Sequence, residues 1–230
     1  MIIIDPGHGG WDPGGGSNSY FKEKDLTLKM SIYQNNRFNE LGLPSKLTRI
    51  NDETLNPNER ISRIKSLGAD SNDILISNHI NNGGSSGGEI IYSIRSSNEL
   101  PEKIGNELRK ANLPIRNVYR RTGKSGRDYY FILRDTLPNQ AMIIEYGFAD
   151  NVEDTKKLLY EWPVLAESVV KAVTEYYQVP YTKPKNIIHI VKPNESLYSI
   201  GEKYNVSTEY IKNKNNLSSD TIYPRTELII

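Results

Sequence analysis

From its first residues to about Val179, the chain alternates short apolar runs with stretches of helical period. Ile2–Ile4 is an apolar run closed by Asp5-Pro6-Gly7, a strand leading into a turn. Asp25 is placed to cap a helix carrying Leu26, Met30, Tyr33 and Leu41 near one face, with Gly42 placed to stop it. Ser45–Ile50 and Ile74–Ser77 read as strands, and between them Pro57–Leu67 carries Ile61, Ile64 and Leu67 at helical spacing. Glu89–Ile94 and Ala141–Ile144 are two further strand-like runs. Glu161–Tyr177 is an amphipathic helix with Val169, Val170, Val173 and Tyr177 directed inward. Strands alternating with helices of this length predict an α/β fold, a sheet covered by helices on both faces. About 180 residues suffice for one sizeable core.

Residues 180–186, Pro-Tyr-Thr-Lys-Pro-Lys-Asn, hold two prolines and no apolar periodicity, which predicts a short, stiff linker. Residues 187–230 then restart a pattern of their own. Ile187–Val191 reads as a strand, Ser196–Tyr204 and Ser207–Asn213 as helices, and Leu228–Ile230 as a closing strand. The expected division is thus 1–179, a linker over 180–186, and a small βααβ unit over 187–230.

Composition narrows the chemistry. The 230 residues contain no cysteine, so disulfides, thiolate metal sites and cysteine nucleophiles are excluded. A metal would have to rest on carboxylates and on the three histidines. A net charge of +1 argues against nucleic acid as the partner, which calls for a basic footprint. No run approaches the ~18 apolar residues of a membrane span. Met1-Ile2-Ile3-Ile4 lacks the basic and apolar regions of a signal peptide, so synthesis in the cytoplasm is expected.

His8 follows the first strand inside the glycine-rich Asp5-Pro6-Gly7-His8-Gly9-Gly10, and His79 follows Ile74–Asn78. Both are expected at the carboxyl ends of strands, where open α/β sheets bind ligands. Glu23 precedes the first long helix, and Glu145 directly follows the Ala141–Ile144 run. Two imidazoles and a carboxylate make a catalytic zinc set with a position left for water, and a second carboxylate can take the water's proton. On residues alone the alternatives stay open. Strand-end histidines also serve as hydrogen-bonded structural groups, lone glutamates are usually solvated, and spacing does not select Glu23 over other acids. The His8 turn matches neither a P-loop nor a dinucleotide fingerprint. Arg120, Arg121, Lys124 and Arg127, with Tyr129 and Tyr130, form a basic and aromatic stretch, either a solvated hairpin or a surface for peptide carboxylates or sugar rings.

These segments resemble the zinc-dependent N-acetylmuramoyl-L-alanine amidases of bacterial autolysins, spore-cycle lytic enzymes and phage endolysins, the amidase-3 family. The matching stretches are Ile3-Ile4-Asp5-Pro6-Gly7-His8-Gly9-Gly10, Glu23–Leu28, Asn58-Glu59-Arg60, Ser77–Asn81, Leu133-Arg134 with Pro138, and Ile143–Phe148, in the family's order. The resemblance implies that His8, Glu23 and His79 ligate Zn2+, that Glu145 is the catalytic acid/base, and that the sheet is mixed. Asn78 stands where the family often has a small apolar residue, and the family's Ala-Asn pair is missing around Lys65–Leu67. Neither departure touches an implied ligand. Residues 187–230 resemble a LysM module through His189–Lys192, Glu195-Ser196-Leu197, Asn216-Leu217 and Ile222-Tyr223-Pro224. His189 then falls in a LysM strand, away from the other histidines, as a structural or solvent-exposed residue. The implied partner is peptidoglycan, with its glycan strand on the LysM unit and its muramoyl-peptide at the zinc site. A zinc peptidase cutting within the stem peptide and a non-catalytic wall-binding protein are the competing readings.

Overall fold

The computed structural model describes the whole chain, Met1 to Ile230. Its elements run β1 (Ile2–Pro6), α1 (Glu23–Glu40), β2 (Ser45–Leu47), α2 (Pro57–Ser66), β3 (Ile74–Asn81), β4 (Gly88–Tyr92), α3 (Glu99–Lys110), β5 (Ile115–Tyr119), α4 (Phe131–Arg134), β6 (Gln140–Phe148), α5 (Val152–Tyr160) and α6 (Trp162–Tyr176). After residues 177–187 follow β7 (Ile188–Ile190), α7 (Leu197–Tyr204), α8 (Thr208–Asn215) and β8 (Glu227–Ile229). The first six strands form one sheet in the order β2-β1-β3-β6-β4-β5, and β7 and β8 form a second. β2, β1, β3 and β6 pair in parallel, whereas β4 meets β6 antiparallel, so the sheet is mixed.

Side chains alternate across the sheet with the two-residue period of a strand. Ile2, Ile4, Ile74, Ile76, Met142 and Ile144 face α1, α3 and α6 in the larger core. Ile3, Leu75, Ala141 and Ile143 face the opposite way, onto Ile64 of α2 and Ile132 and Leu133 of α4. By the same alternation Asp5, Ser77, His79 and Glu145 belong to the α2 and α4 face. α2 itself is started by a capping box: Asn56 accepts from the Glu59 backbone N–H, Glu59 accepts from that of Asn56, and Pro57 occupies the first turn.

Several boundaries differ from the sequence expectation. α1 starts at Glu23, two residues before the expected Asp25 cap, and Ser17 Oγ accepts the Glu23 N–H at 2.9 Å. β2 stops at Leu47 rather than Ile50. β3 and β6 extend to Asn81 and Phe148, so His79 and Glu145 lie within strands rather than after them, opposite each other in the β3–β6 pairing. α3, β5, α4 and α5 were not expected.

The 180–186 stretch is tied to the larger unit. Tyr181 donates to Glu167 Oε1 at 2.9 Å, and Arg37 Nη2 donates to the Thr182 carbonyl at 2.7 Å. The small unit has its own core of Val191, Leu197, Ile200, Ile211, Leu228 and Ile230. Its first strand also reaches the larger one, with Ile190 buried in the main core and Ile188 packed against it. Lys192 Nζ with Glu161 Oε1 at 3.0 Å, Arg225 Nη2 with the Tyr20 carbonyl at 2.7 Å, and a Lys29–Glu227 ion pair ring that contact.

Asp5 is the polar centre of the α2 face. Fully buried, it accepts from Thr48 Oγ1 and Arg60 Nη1, each at 2.6 Å, and from Ser77 Oγ at 2.7 Å. Burial alone would raise its pKa, but the charge of Arg60 and these hydrogen bonds hold it below the usual carboxylate range. Arg60 reaches from α2 to β1 and also donates to the carbonyls of Pro6 and His8. Replacing Arg60 by Ala strands a buried carboxylate. The expected loss is about 3–5 kcal/mol, read by urea denaturation, whereas Lys65→Ala on the exposed side of α2 changes stability by under about 0.5 kcal/mol.

Candidate active site and metal centre

The turn after β1 carries His8 at φ +60°, a left-handed conformation that turns the imidazole back over the sheet end. Arg60 and Arg49 clamp it: Arg49 donates to the carbonyls of Pro6, Gly7 and Lys24 at 2.7–3.2 Å. Gly7 has no side chain because His79 lies against it; a Cβ there would sit 2.5 Å from His79 Cε1. Gly14, at φ +90°, is equally bare beneath Glu23, whose Oε2 a Cβ would meet at 2.3 Å.

These close approaches let three donors converge. His8 Nε2 lies 3.2 Å and His79 Nδ1 3.1 Å from the same oxygen, Glu23 Oε1. All three ligating atoms lie within 4.8 Å of one another. Ligands held about 2.0–2.2 Å from a tetrahedral cation stand about 3.3–3.6 Å apart, close to the two separations seen here. Glu23 is 1 % exposed, and its carboxylate is further fixed by the backbone N–H groups of Gly16 at 2.8 Å and Ile80 at 2.9 Å. A mixed nitrogen and oxygen set, pre-oriented and half-open to solvent, fits a divalent metal ion.

The protonation pattern of the cluster is that of a site waiting for positive charge. Burial works against ionising Glu23, but the hydrogen bonds and charges of His79 and His8 outweigh it and drive the carboxyl far below its ordinary range. Burial likewise opposes a charged His8, yet Glu23 and Asp12 push it up to about 9. A metal ion taking up these ligands must displace such protons, so its binding weakens as pH falls.

Glu145 faces a different environment. Burial pushes its carboxyl up to about 7; His79 opposes the shift, while Glu23 and Glu89, its register partner on β4, add to it. Its Oε2 is shielded from solvent and has no hydrogen-bond partner. A cavity of about 200 Å³ joins His8, His79, Asp12 and Glu145 to Tyr130 and Phe131. A larger cavity of about 730 Å³ lies elsewhere, between Tyr20, Val152 and Lys192 where the two units meet, and holds none of these groups. The smaller one is the candidate active site, because the clustered, perturbed groups open into it.

Asp12 is the functional residue that the sequence reading missed. Its Oδ2 accepts from His8 Nδ1 at 2.7 Å, which holds that nitrogen as the N–H and leaves Nε2 for the cluster. The signal was the same glycine-rich turn, four residues past His8. Behind the site, Asn78 donates to Ser31 Oγ and Gln34 Oε1 and accepts from the Tyr146 hydroxyl, so this departure from the family pattern is a closed, buried polar network. Asn81 donates to Glu89 at 3.2 Å. Arg134 is spent on the carbonyls of Asp128 and Tyr129 and on Asp135, a structural role. His189 is buried in the small unit, bonded to Glu195 at 2.8 Å and to Tyr204 at 3.1 Å, so the solvent-exposed option is excluded.

Comparison with known proteins agrees with this arrangement. The family model for N-acetylmuramoyl-L-alanine amidase matches residues 2–175, and that for the LysM domain matches residues 189–230. The chain is 32% identical over 160 residues to the N-acetylmuramoyl-L-alanine amidase CwlM of Bacillus licheniformis, covering 68% of this chain and 60% of that one. It is 32% identical over 162 residues to the sporulation-specific N-acetylmuramoyl-L-alanine amidase of Bacillus subtilis, covering 68% and 59%. The aligned region thus spans less than two thirds of either amidase. Among solved structures, the catalytic domain of CwlV, an N-acetylmuramoyl-L-alanine amidase from Bacillus (Paenibacillus) polymyxa, superposes with a TM-score of 0.67 at 24% identity, covering 78% of this chain and 98% of that domain, a likeness of fold.

Loss of the Asp12 carboxylate should loosen the centre without unfolding it. Asp12→Ala is expected to weaken binding of a divalent metal about 10–100-fold by calorimetric titration of the stripped protein. An unchanged affinity would remove Asp12 from the support of His8.

Proposed function

This chain belongs to the N-acetylmuramoyl-L-alanine amidase family, and on that premise we propose that it is a zinc-dependent peptidoglycan hydrolase. It cuts the amide between the lactyl group of N-acetylmuramic acid and the L-alanine of the stem peptide. Residues 1–179 are the catalytic domain, 180–186 the linker and 187–230 a LysM module that holds the glycan strand. The observation that carries the reading is the convergence of His8 Nε2 and His79 Nδ1 on one Glu23 oxygen, beside a carboxyl with a free, shielded Oε2.

His8, Glu23 and His79 are the residues that would hold zinc. When bound there, zinc supplies Lewis acidity toward the amide carbonyl and makes water a nucleophile at neutral pH. Asp12 keeps His8 in the tautomer that offers Nε2. Glu145 is the proton carrier. With its carboxyl near 7 it is partly ionised at neutral pH, close to the optimum for general acid–base work. The Glu145 carboxylate takes a proton from the attacking water as the new carbon–oxygen bond forms. It then returns that proton to the nitrogen of L-alanine as the carbon–nitrogen bond breaks. The partly apolar wall of Tyr130 and Phe131 limits water around these transfers.

Glu145→Gln keeps the shape and removes the base. The variant is expected to bind zinc within about threefold of wild type while its turnover on purified walls falls about 10²–10⁴-fold, read by release of L-alanine amines and lactyl ends. Near-normal lysis by the variant would contradict the role. Cuts inside the stem peptide would favour the peptidase reading.

A further inference from the structure

Tyr130 connects the catalytic cavity to a cation that the mechanism has not used. Between β5 and α4 the chain folds back on itself, with Thr122 bridged to Asp128 and the Tyr129 N–H donating to the Arg121 carbonyl at 2.8 Å. Buried Asp128 anchors this hairpin, accepting from Ser93 Oγ at 2.7 Å and from the Ile94 N–H at 2.9 Å. On that base the Arg121 guanidinium lies 4.0 Å from the Tyr129 ring centre and 5.7 Å from that of Tyr130, and Nη1 donates to the Tyr130 hydroxyl at 3.1 Å. The two rings themselves meet edge to face at 5.1 Å.

The neighbouring arginines each have a partner. Arg120 donates to the Ser96 carbonyl and lies over Tyr92, and Arg127 pairs with Asp135. Arg134 is held by backbone carbonyls and Asp135, and Arg60 by Asp5. Lys124, at the exposed turn, has no ring beneath it. Arg120 and Arg121 are both solvent-exposed, stacked on a ring and without a carboxylate partner, but only Arg121 is bonded to a ring, Tyr130, that lines the catalytic cavity, and most of its five N–H donors are free. Stacking on rings orders a guanidinium in advance, so little freedom is lost when it grips a planar anion.

The cavity beside it is rich in acid: Asp5, Asp12 and Glu145 line it, with Glu23 behind. A muramoyl-peptide brings more negative charge, because the peptide on the leaving-amine side ends or branches in carboxylates. We infer that Arg121, stacked on Tyr129 and bonded to Tyr130, a wall residue of the catalytic cavity, is a substrate-positioning residue that grips a stem-peptide carboxylate. This inference rests on the amidase reading. Arg121 makes the free acid of the residue following L-alanine a specificity determinant, since a carboxamide at that position cannot make the charged, two-pronged contact.

Steady-state kinetics of the full, zinc-loaded chain test this with N-acetylmuramoyl-L-alanyl-D-glutamate and its analogue in which both glutamyl carboxylates are carboxamides. Wild type should cleave the acid with a kcat/KM about tenfold or more above that of the amide. Arg121→Gln should abolish the preference by raising KM for the acid about tenfold with kcat unchanged, and leave the amide alone. Arg121→Lys, which keeps the charge but not the fork, should retain part of it. Equal use of the two compounds by wild type overturns the role of Arg121, as does equal loss on both in the Gln variant. If the Gln variant fails to fold, the wild-type ratio and the Lys variant decide. A wild type that cleaves neither compound overturns the amidase reading instead, and this one with it.

Discussion

The carboxylate of Asp5, buried in the sheet and held by Arg60, Thr48 and Ser77, is the fixed point from which the active turn hangs. A charge so deeply placed is tolerated only when paired and fully hydrogen-bonded. Here the partner that neutralises it also grips the carbonyls of Pro6 and His8. The same contact therefore stabilises the fold and sets the position of a ligand. Arg49 repeats the device on the other side, so a glycine-rich loop that would otherwise be mobile presents His8 in a strained left-handed conformation without freedom to swing.

Strand periodicity does the rest. Asp5, Ser77, His79 and Glu145 occupy alternate positions that face α2 and α4, and the parallel register of β3 with β6 sets His79 beside Glu145. Glu23 enters from the first turn of α1 and meets both imidazoles. Two carboxylates so close have opposite fates. Glu23, bonded to two imidazoles and two backbone N–H groups, stays ionised, while Glu145, with one oxygen shielded and two acids for neighbours, holds its proton to about 7. Environments that push a pair of carboxyls apart in this way divide their labour: one fits a ligand, the other a proton carrier.

Much of this was legible in sequence because it rests on short-range pattern. The alternation of Ile2–Ile4, the period of α6 and the turn chemistry around Gly7 and Gly42 each locate an element. The family resemblance, carried by segments from Ile3 to Phe148, placed the mixed sheet and is the source of the roles proposed for the two glutamates. What escaped has physical causes. β3 and β6 outrun their expected ends at Ser77 and Ile144 because neighbouring strands keep pairing beyond them, which carries His79 and Glu145 inside the strands. α5 is short and rich in charge, so its burial shows only in three dimensions, whereas α3 carries Leu100, Ile104 and Leu108 at helical spacing, a signal present in the sequence but not read there. Asp12 is an ordinary turn aspartate until the left-handed His8 folds over to meet it. The two prolines of the 180–186 stretch were visible in sequence. Its anchoring through Tyr181 and Thr182, and the entry of Ile190 into the larger core, depend on long-range contacts that no local pattern announces.

The central claim is that His8, Glu23 and His79 form one metal centre from which Glu145 stands apart. Anomalous diffraction at the zinc edge, on crystals of the full chain grown with equimolar zinc, tests it most directly. The account predicts a single strong peak about 2.0–2.2 Å from His8 Nε2, His79 Nδ1 and a Glu23 oxygen, with Glu145 outside the coordination shell. No peak among these residues, or a peak ligated by Glu145 in place of Glu23, would contradict it.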